Sequence, residues 1–446
     1  MKFMPKPTRS VKEEYLKEIS QAWSTVSTKY VYNIQLGKML QNEANGAEDI
    51  QISYFKAADV QWENVNIHDL PVMWASPRDL NKFSVINGDL LVCEGGEVGR
   101  AGMIYNLEED CILQNALHRV RSTNKAEVKY LMYLLRHIAS TSWMDVLCNK
   151  ATIAHFTSEK FGNLRIPLPS VEEQNMIFKF LDKEVVKIDL LISKKQKLIE
   201  LLQEKRQAII NEAVTKGLDP NVPMKDSGIS WLGNMPAHWE IKKFKHLVLM
   251  VGGGTPSKEN LEYWGGDIPW VSPKDMKVDY VESSEDSISY LGLKNSSTSL
   301  IEKPAVLMVV RSGILKHSLP VAINKVPVSL NQDMKALIPK ENLDVKYLFS
   351  ILKGISSLIL YSCKKIGATV DSLETEDLNN LMLPLPPLNE QKYIFSIIEE
   401  ETNKIDFLTS KLNIQIEKLQ EYRQSLISEA VTGKIDVRQY GEEVNH

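Results

Sequence analysis

Residues 188–219 read IDLLISKKQKLIELLQEKRQAIINEAVTKGLD, and residues 405–436 read IDFLTSKLNIQIEKLQEYRQSLISEAVTGKID. The two stretches agree at more than half of their positions without a gap, at an offset of 217 residues. A repeat of this length decides the architecture before any single motif is weighed. The same offset continues upstream. Ile166-Pro-Leu-Pro169 answers Leu383-Pro-Leu-Pro386, Glu173-Gln174 answers Glu390-Gln391, and Val128-Lys-Tyr-Leu131 answers Val345-Lys-Tyr-Leu348. Thr152 pairs with Thr369 and Leu113 with Leu330. Further upstream the register needs gaps, although Trp23 and Trp239 still open the two copies at nearly the same spacing. The chain is therefore two copies of a variable half followed by a similar half.

The similar halves read as helices. Each follows a proline-rich stop and begins with an acidic first turn, Val171-Glu172-Glu173-Gln174 or Leu388-Asn389-Glu390-Gln391, which suits the positive end of a helix dipole. Ile405, Leu412, Leu419 and Leu426 recur every seven residues. Ile188, Leu202 and Ile209 occupy the matching places, Lys195 interrupts, and Leu191, Ile192, Leu198 and Ile199 widen the stripe. Heptads with mixed charge outside them predict a coiled coil, parallel or antiparallel, and two seams in one chain bury each other most readily. A helix of about 30 residues is about 45 Å long. The competing reading is a pair of ordinary core helices in a bundle. The exposed pair is favoured because each helix is flanked by an independent, domain-sized segment.

The variable halves read as mixed α/β domains. Residues 89–93, 306–310 and 335–339 predict strands, and residues 129–138 and 347–352 predict helices. Gly252-Gly-Gly-Thr-Pro256, Gly265-Gly266 and Gly95-Gly96 mark turns. The expected layout is an N-terminal helical segment (1–22), a variable domain (23–165), a helical spacer (166–217) and a linker (218–238). A second variable domain (239–382), a second helical spacer (383–438) and a tail (439–446) follow.

Composition limits the classes of function. With 446 residues, 43% hydrophobic and 25% charged, the chain is a multidomain globular protein rather than a disordered one. No run of about 18 apolar residues occurs and residues 1–6 carry no signal-like apolar core, so a cytoplasmic protein without a membrane partner is expected. Cys93, Cys111, Cys148 and Cys363 lack Cys-x-x-Cys spacing and read as reduced core thiols. A net charge of −4 describes no uniformly basic nucleic-acid binder, but it leaves room for a local basic face.

Catalytic motifs are missing. There is no Gly-x-x-x-x-Gly-Lys-Ser/Thr phosphate loop, and Gly95-Gly-Glu-Val-Gly-Arg100 lacks the strand, helix and later acidic residue of a dinucleotide site. No Asn/Asp-Pro-Pro-aromatic motif occurs, since Leu385-Pro386-Pro387-Leu388 has neither the polar residue nor the aromatic. Histidines are dispersed without metal-ligand spacing, so no metal site is expected. Glu127-Val128-Lys129 reads as a helix-surface charge pair rather than part of a nuclease motif.

The duplicated Leu-Pro-Leu-Pro…Glu-Gln-to-helix block closely resembles the specificity subunit of type I restriction-modification systems. Asp226-Ser-Gly-Ile-Ser-Trp-Leu-Gly-Asn-Met-Pro-Ala-His-Trp239 and Gly254-Thr-Pro…Tyr263-Trp264-Gly-Gly-Asp-Ile-Pro-Trp270 carry the same resemblance, which covers nearly the whole chain. It implies an α+β, mixed α/β protein with two target recognition domains separated by an antiparallel two-helix coiled coil, pseudo-twofold through the internal repeat. Each domain would read one half of a split, asymmetric site in double-stranded DNA, with the helices as a ruler. Two methyltransferase subunits would be partners, and two restriction subunits can join them. S-adenosylmethionine, ATP and Mg would act in those partners, with no cofactor in this chain. A coiled-coil interaction scaffold that binds no DNA is the alternative. In one respect the first copy departs from the pattern: it lacks the Ser-Gly-Ile-x-Trp-Leu-Gly lead-in, and a short helix is predicted over residues 11–23.

Reading bases requires polar and cationic side chains on loops that reach the major groove. Candidates in the first half are Arg100, His118, Arg119, Lys150 and Thr152; those in the second are Arg311, Ser312, Lys316, His317, Lys364, Lys365 and Thr369. Lys242 and Lys243 are candidates for phosphate. Solvated surface charge is the competing role for each. Gln114-Asn115 and Asn331-Gln332 share a register and read as common scaffold. Glu173/Glu390, Arg206/Arg423 and Gln207/Gln424 are shared by the copies outside the seam. They are candidate partner contacts, with pairing inside the chain as the competing role.

Overall fold

In the computed structural model, residues 4–141, 143–147, 155–365 and 370–440 are described. The chain forms two compact units, Met1–Lys195 with Ile414–His446, and Gln196–Asn413. The boundary falls inside both long helices, Val171–Lys216 and Leu388–Val431. Each unit thus combines one variable half, the start of the helix that follows it, and the end of the helix from the other copy.

Both units carry the same sheet. In the first, the order is Tyr32–Leu36, Leu117–Ser122, Leu90–Cys93, Ala101–Met103, Glu63–Asn64; in the second it is Val248–Gly252, Met334–Pro339, Val306–Val309, Val321–Asn324, Tyr280–Val281. All neighbours are antiparallel except the last pair, which is parallel in both units. The central strands Leu90–Cys93 and Val306–Val309 are wholly buried, as continuous apolar runs predict. Against the sheets pack the helices Val128–Ser140 and Val345–Gly354, each exposing few of its apolar residues. The three described cysteines, Cys93, Cys111 and Cys363, are buried free thiols. No single described helix is long and apolar enough to cross a membrane.

Within each unit the helix segments run antiparallel. Arg423 meets Asp189 at 2.8 Å and Lys195 donates to Gln415 at 2.7 Å in the first; Arg206 lies 3.5 Å from Asp406 in the second. Ile188, Ile192, Ile405, Ile416 and Leu426 are buried in the seam. Leu191 and Leu198, expected to widen it, are about half exposed instead. They fall outside the a/d stripe of a two-helix contact, which is narrower than the stripe of a bundle helix.

The N-terminal segment corrects the helical expectation. Thr8–Ser10 and Glu18–Ser20 form an antiparallel hairpin, and the turn places Lys17 at φ 56°. This left-handed residue ends any local helix, and tertiary bonds take up the backbone: Lys6 N donates to Lys434 O, and Ser20 N to Thr432 O. The region expected to be a linker holds the matching hairpin, Met224–Asp226 with Asn234–Pro236, and Gly233 at φ 62° stands where Lys17 does. Tyr15-Leu16 thereby matches Trp231-Leu232. The first copy does have the lead-in, in different residues.

Candidate functional site

Each variable half is fixed to the helices by the same side chains. Tyr130 donates to Pro167 O and Val431 O at 3.2 and 3.0 Å; Tyr347 donates to Pro384 O and Val214 O at 3.3 and 3.4 Å. Both rings are fully buried, and burial pushes both hydroxyls far above the ordinary tyrosine range. A buried tyrosine hydroxyl needs such partners. Gln174 and Gln391 act alike, accepting from Glu127 N and Asp344 N and donating to Pro169 O and Pro386 O. The Trp23 and Trp239 indoles donate to Glu173 and Glu390 at 2.9 Å. Lys6 and His238 bind the same carboxylates at 2.7 Å.

A four-charge junction is duplicated as well. In the first unit Arg136 pairs with Glu63, and Arg423 bridges Asp189 and Glu63 at 2.8 and 3.4 Å. In the second, Lys353 pairs with Asp279, and Arg206 lies between Asp279 and Asp406 at 3.9 and 3.5 Å. Burial raises the Glu63 carboxyl despite Arg136, raises that of Asp189, and lowers Lys353 despite Asp279. The copies differ at one neighbour. Gly354 lets Gln207 and Asn211 donate to its carbonyl at 3.0 and 3.3 Å, and the junction itself borders a space of about 80 Å³ lined by Arg206, Asp279, Lys353 and Asp406. His137 stands there in the first unit, beside a cavity of about 370 Å³ lined by Gln420, Arg423 and Gln424.

The candidate partner residues Glu173, Glu390, Arg206, Arg423 and Gln207 therefore make contacts inside the chain, and Gln424 lines the cavity. Among the apolar residues that the helices leave exposed, Leu190 with Leu191 in the first unit and Phe407 with Leu408 in the second stand at matching places of the repeat, alongside unmatched ones such as Val186, Leu201 and Ile414. The seam assignment of Leu191 hid this surface from the sequence. The junction acids Glu63 and Asp279 were hidden because they lie where the repeat register needs a gap.

The DNA candidates divide by exposure. His118 is buried, bonded through Nε2 to Phe156 O at 2.7 Å, and burial lowers its pKa. Arg119 is buried and donates to the carbonyls of Lys82 and Ser84. These two serve the core, because the strand Leu117–Ser122 lies between two others and is covered on both faces, so neighbouring residues that project to opposite sides are both buried. Arg100 is held by Glu97 and Ala57 O, at 2.8 and 2.9 Å. Lys150, Thr152 and Thr369 lie outside the described residues. In the second unit several candidates are brought together. Arg311 bridges to Ser372, Ser312 N donates to Asp371 O, and Lys364 and Lys365 pair with Leu373 and Ser372 in a short hairpin. Lys316 and His317 are exposed on the same loop, Gly313–Lys316 being a 3-10 turn capped by Ser312. Lys242 and Lys243 lie on the separate strand Glu240–Lys243, Lys242 bonded to Glu240 at 2.9 Å. Among the described residues no group of three or more His, Cys, Asp or Glu could hold a metal ion.

The pattern of two matched units agrees with comparison to known proteins. The family model described as type I restriction modification DNA specificity domain matches twice, over residues 21–201 and 236–418. The chain belongs to this family. It is 34% identical over 310 residues to the type I restriction enzyme EcoR124I/EcoR124II specificity subunit of Escherichia coli, covering 68% of this chain and 71% of that protein. It is 27% identical over 372 residues to the putative type I restriction enzyme MjaX specificity subunit of Methanocaldococcus jannaschii, covering 81% of each. Among solved structures, a chain from work on complex assembly and conformational transition of the type I R-M system superposes with a TM-score of 0.73 at 15% identity, covering 94% of this chain and 99% of that one. The HsdS subunit from Thermoanaerobacter tengcongensis gives 0.55 at 16% identity, covering 94% and 98%. At these identities the structures share the fold of this specificity chain.

Proposed function

We propose that this chain is the DNA-reading subunit of a type I restriction-modification enzyme, with each unit reading one half of a split, asymmetric duplex site. The observation that carries it is the duplication at the level of side-chain contacts. The residues that fix each variable half to the helices are kept, while the exposed loops differ, as two readers of different sequences on one scaffold require. The chemistry belongs to partners: methylation with S-adenosylmethionine in methyltransferase subunits, and ATP- and Mg-dependent cleavage in restriction subunits where these join. The site of action is the cytoplasm.

Two methyltransferase subunits are the expected complement, because the repeat offers one docking surface twice. The exposed pairs Leu190/Leu191 and Phe407/Leu408 suit that role, since apolar residues presented in the same way in both copies need cover. Two measurements test the proposal. Sequencing of modified bases in host DNA with and without this gene yields a split motif that disappears on deletion; an unaltered methylation pattern refutes DNA reading. The mass of the complex with methyltransferase falls by one subunit for Leu190→Ser with Leu191→Ser, and by both when Phe407→Ser and Leu408→Ser are added. An unchanged mass refutes the docking surface.

A further inference from the structure

At one place the two units share a backbone frame but not the side chains on it. Val310 N donates to Asp333 O at 2.8 Å, as Glu94 N does to Ala116 O at 2.9 Å. Leu373 N donates to Val310 O at 2.8 Å, as Phe156 N does to Glu94 O at the same distance. Gly254 N donates to Leu330 O and Lys38 N to Leu113 O, both at 2.9 Å. Gly253 and Gly37 abut the carbonyls of Asn331 and Gln114, where any Cβ would collide, so these close approaches belong to the shared frame. On that frame Arg311 stands where the first unit has Gly95, Asp333 where it has Ala116, Ser372 where it has His155, and Thr255 where it has Met39. Gln332 is replaced by Asn115.

Arginine and aspartate are thus lost together, and in the second unit they form a pair. Arg311 Nε donates to Asp333 Oδ1 at 2.6 Å, and Asp333 N is itself held by Asn331 Oδ1 at 3.0 Å. Gln332 donates to Asp333 Oδ2 at 3.4 Å and accepts from the Thr255 hydroxyl. The Arg311 side chain is about half exposed, at 53%. Only its Nε is engaged; the two terminal nitrogens have no partner among the described residues. A guanidinium oriented through one edge by a carboxylate presents its other nitrogens as a rigid fork, the complement of O6 and N7 of guanine in the major groove. A structural role does not explain the pair, because the first unit keeps the same backbone bonds without it.

We propose that Arg311, positioned by Asp333, reads a guanine in the half-site bound by the second unit. The first unit, with His155 and Asn115 on the same frame, reads a different base there. This rests on the reading of the chain as a DNA-recognition subunit, and names a specificity-determining residue within it.

The complex of the full chain with its methyltransferase tests it, through methylated-site sequencing and binding to duplexes substituted at each pair of the site. Arg311→Ala is expected to relax one G·C pair of one half-site, lowering discrimination there roughly 5- to 140-fold. Recognition of the other half-site stays intact, and so serves as the control for folding. Arg311→Lys, which keeps the charge but not the fork, relaxes the same pair. Asp333→Asn relaxes it less. An unchanged motif in Arg311→Ala overturns the inference. So does uniform weakening on all sequences with recovery in Arg311→Lys, the behaviour of a phosphate contact. A wild-type complex with no sequence selectivity refutes the underlying function, and the inference with it.

Discussion

Gly433 and Gly217 end the two long helices, and the same substitution at each should cost different amounts. Both residues are left-handed, at φ 69° and 75°. Gly433 closes a Schellman-type end, with Lys434 N donating to Glu429 O at 2.8 Å and Gly433 N to Ala430 O at 3.1 Å. Alanine at either position incurs about 1–2 kcal/mol for the left-handed conformation. The surroundings then separate them. A Cβ on Gly433 would lie 2.5 Å from the Trp23 ring and 2.7 Å from Ser20 Cβ, whereas on Gly217 the nearest atom is Trp239 Cζ2 at 3.3 Å. Trp23 is buried and tied to Glu173 at 2.9 Å, so it cannot swing away, and overpacking adds about 1–3 kcal/mol. Gly433→Ala should therefore cost about 2–5 kcal/mol, and Gly217→Ala about 1–2 kcal/mol. Because a chain with two units need not unfold in one step, the assay is native-state hydrogen exchange read at the hairpins Thr8–Ser10/Glu18–Ser20 and Met224–Asp226/Asn234–Pro236. Equal protection losses at the two hairpins, or a larger one for Gly217→Ala, would show that ring packing against the helix end does not govern the junction.

Lys17→Gly removes a left-handed side-chain residue where the second copy has glycine, and a gain of about 0.5–1 kcal/mol is expected after the flexibility of glycine in the unfolded chain is subtracted; the urea midpoint measures it. His137 is buried, and burial pushes its pKa down to about 4. Its neutral form is thus favoured in the folded state, so stability is complete above about pH 6.5 and falls as acid titrates the unfolded chain, by about 1.4 kcal/mol per pH unit down to about pH 4. His137→Gln should flatten that window in urea titrations, and an unaltered pH profile would remove His137 as its cause. Arg423→Met leaves Asp189 and Glu63 with one fewer cation at the half-buried junction and should cost about 1–3 kcal/mol, whereas Lys197→Met, which breaks an exposed pair with Glu200, should leave the urea midpoint unmoved. Equal midpoint shifts for these two would deny the junction a structural role.

The sequence alone determined the duplication, the two long helices and the mixed α/β character of the halves. Each of these is written in local periodicity and in residues repeated at a constant offset, and a heptad stripe or a buried apolar strand needs no distant partner to be legible. Family membership was legible for the same reason, through the Leu-Pro-Leu-Pro and Glu-Gln blocks. What only the tertiary structure decided is which surfaces those residues meet. His118 and Arg119 look like surface cations in sequence, but they sit on a strand covered on both faces, which buries them. Glu173 and Arg423, shared by the two copies, leave partner docking and pairing inside the chain equally open in sequence, and their bonds to Trp23 and Asp189 appear only in the structure. The hairpin at residues 8–20 reads as a helix until its strands find each other and the chain near Lys434. Even the correspondence of Arg311 with Gly95 is visible only on the backbone, because an inserted residue shifts the register and the hydrogen bonds, rather than the letters, keep the count. Burial and partner choice depend on residues hundreds of positions away, and no local pattern encodes them.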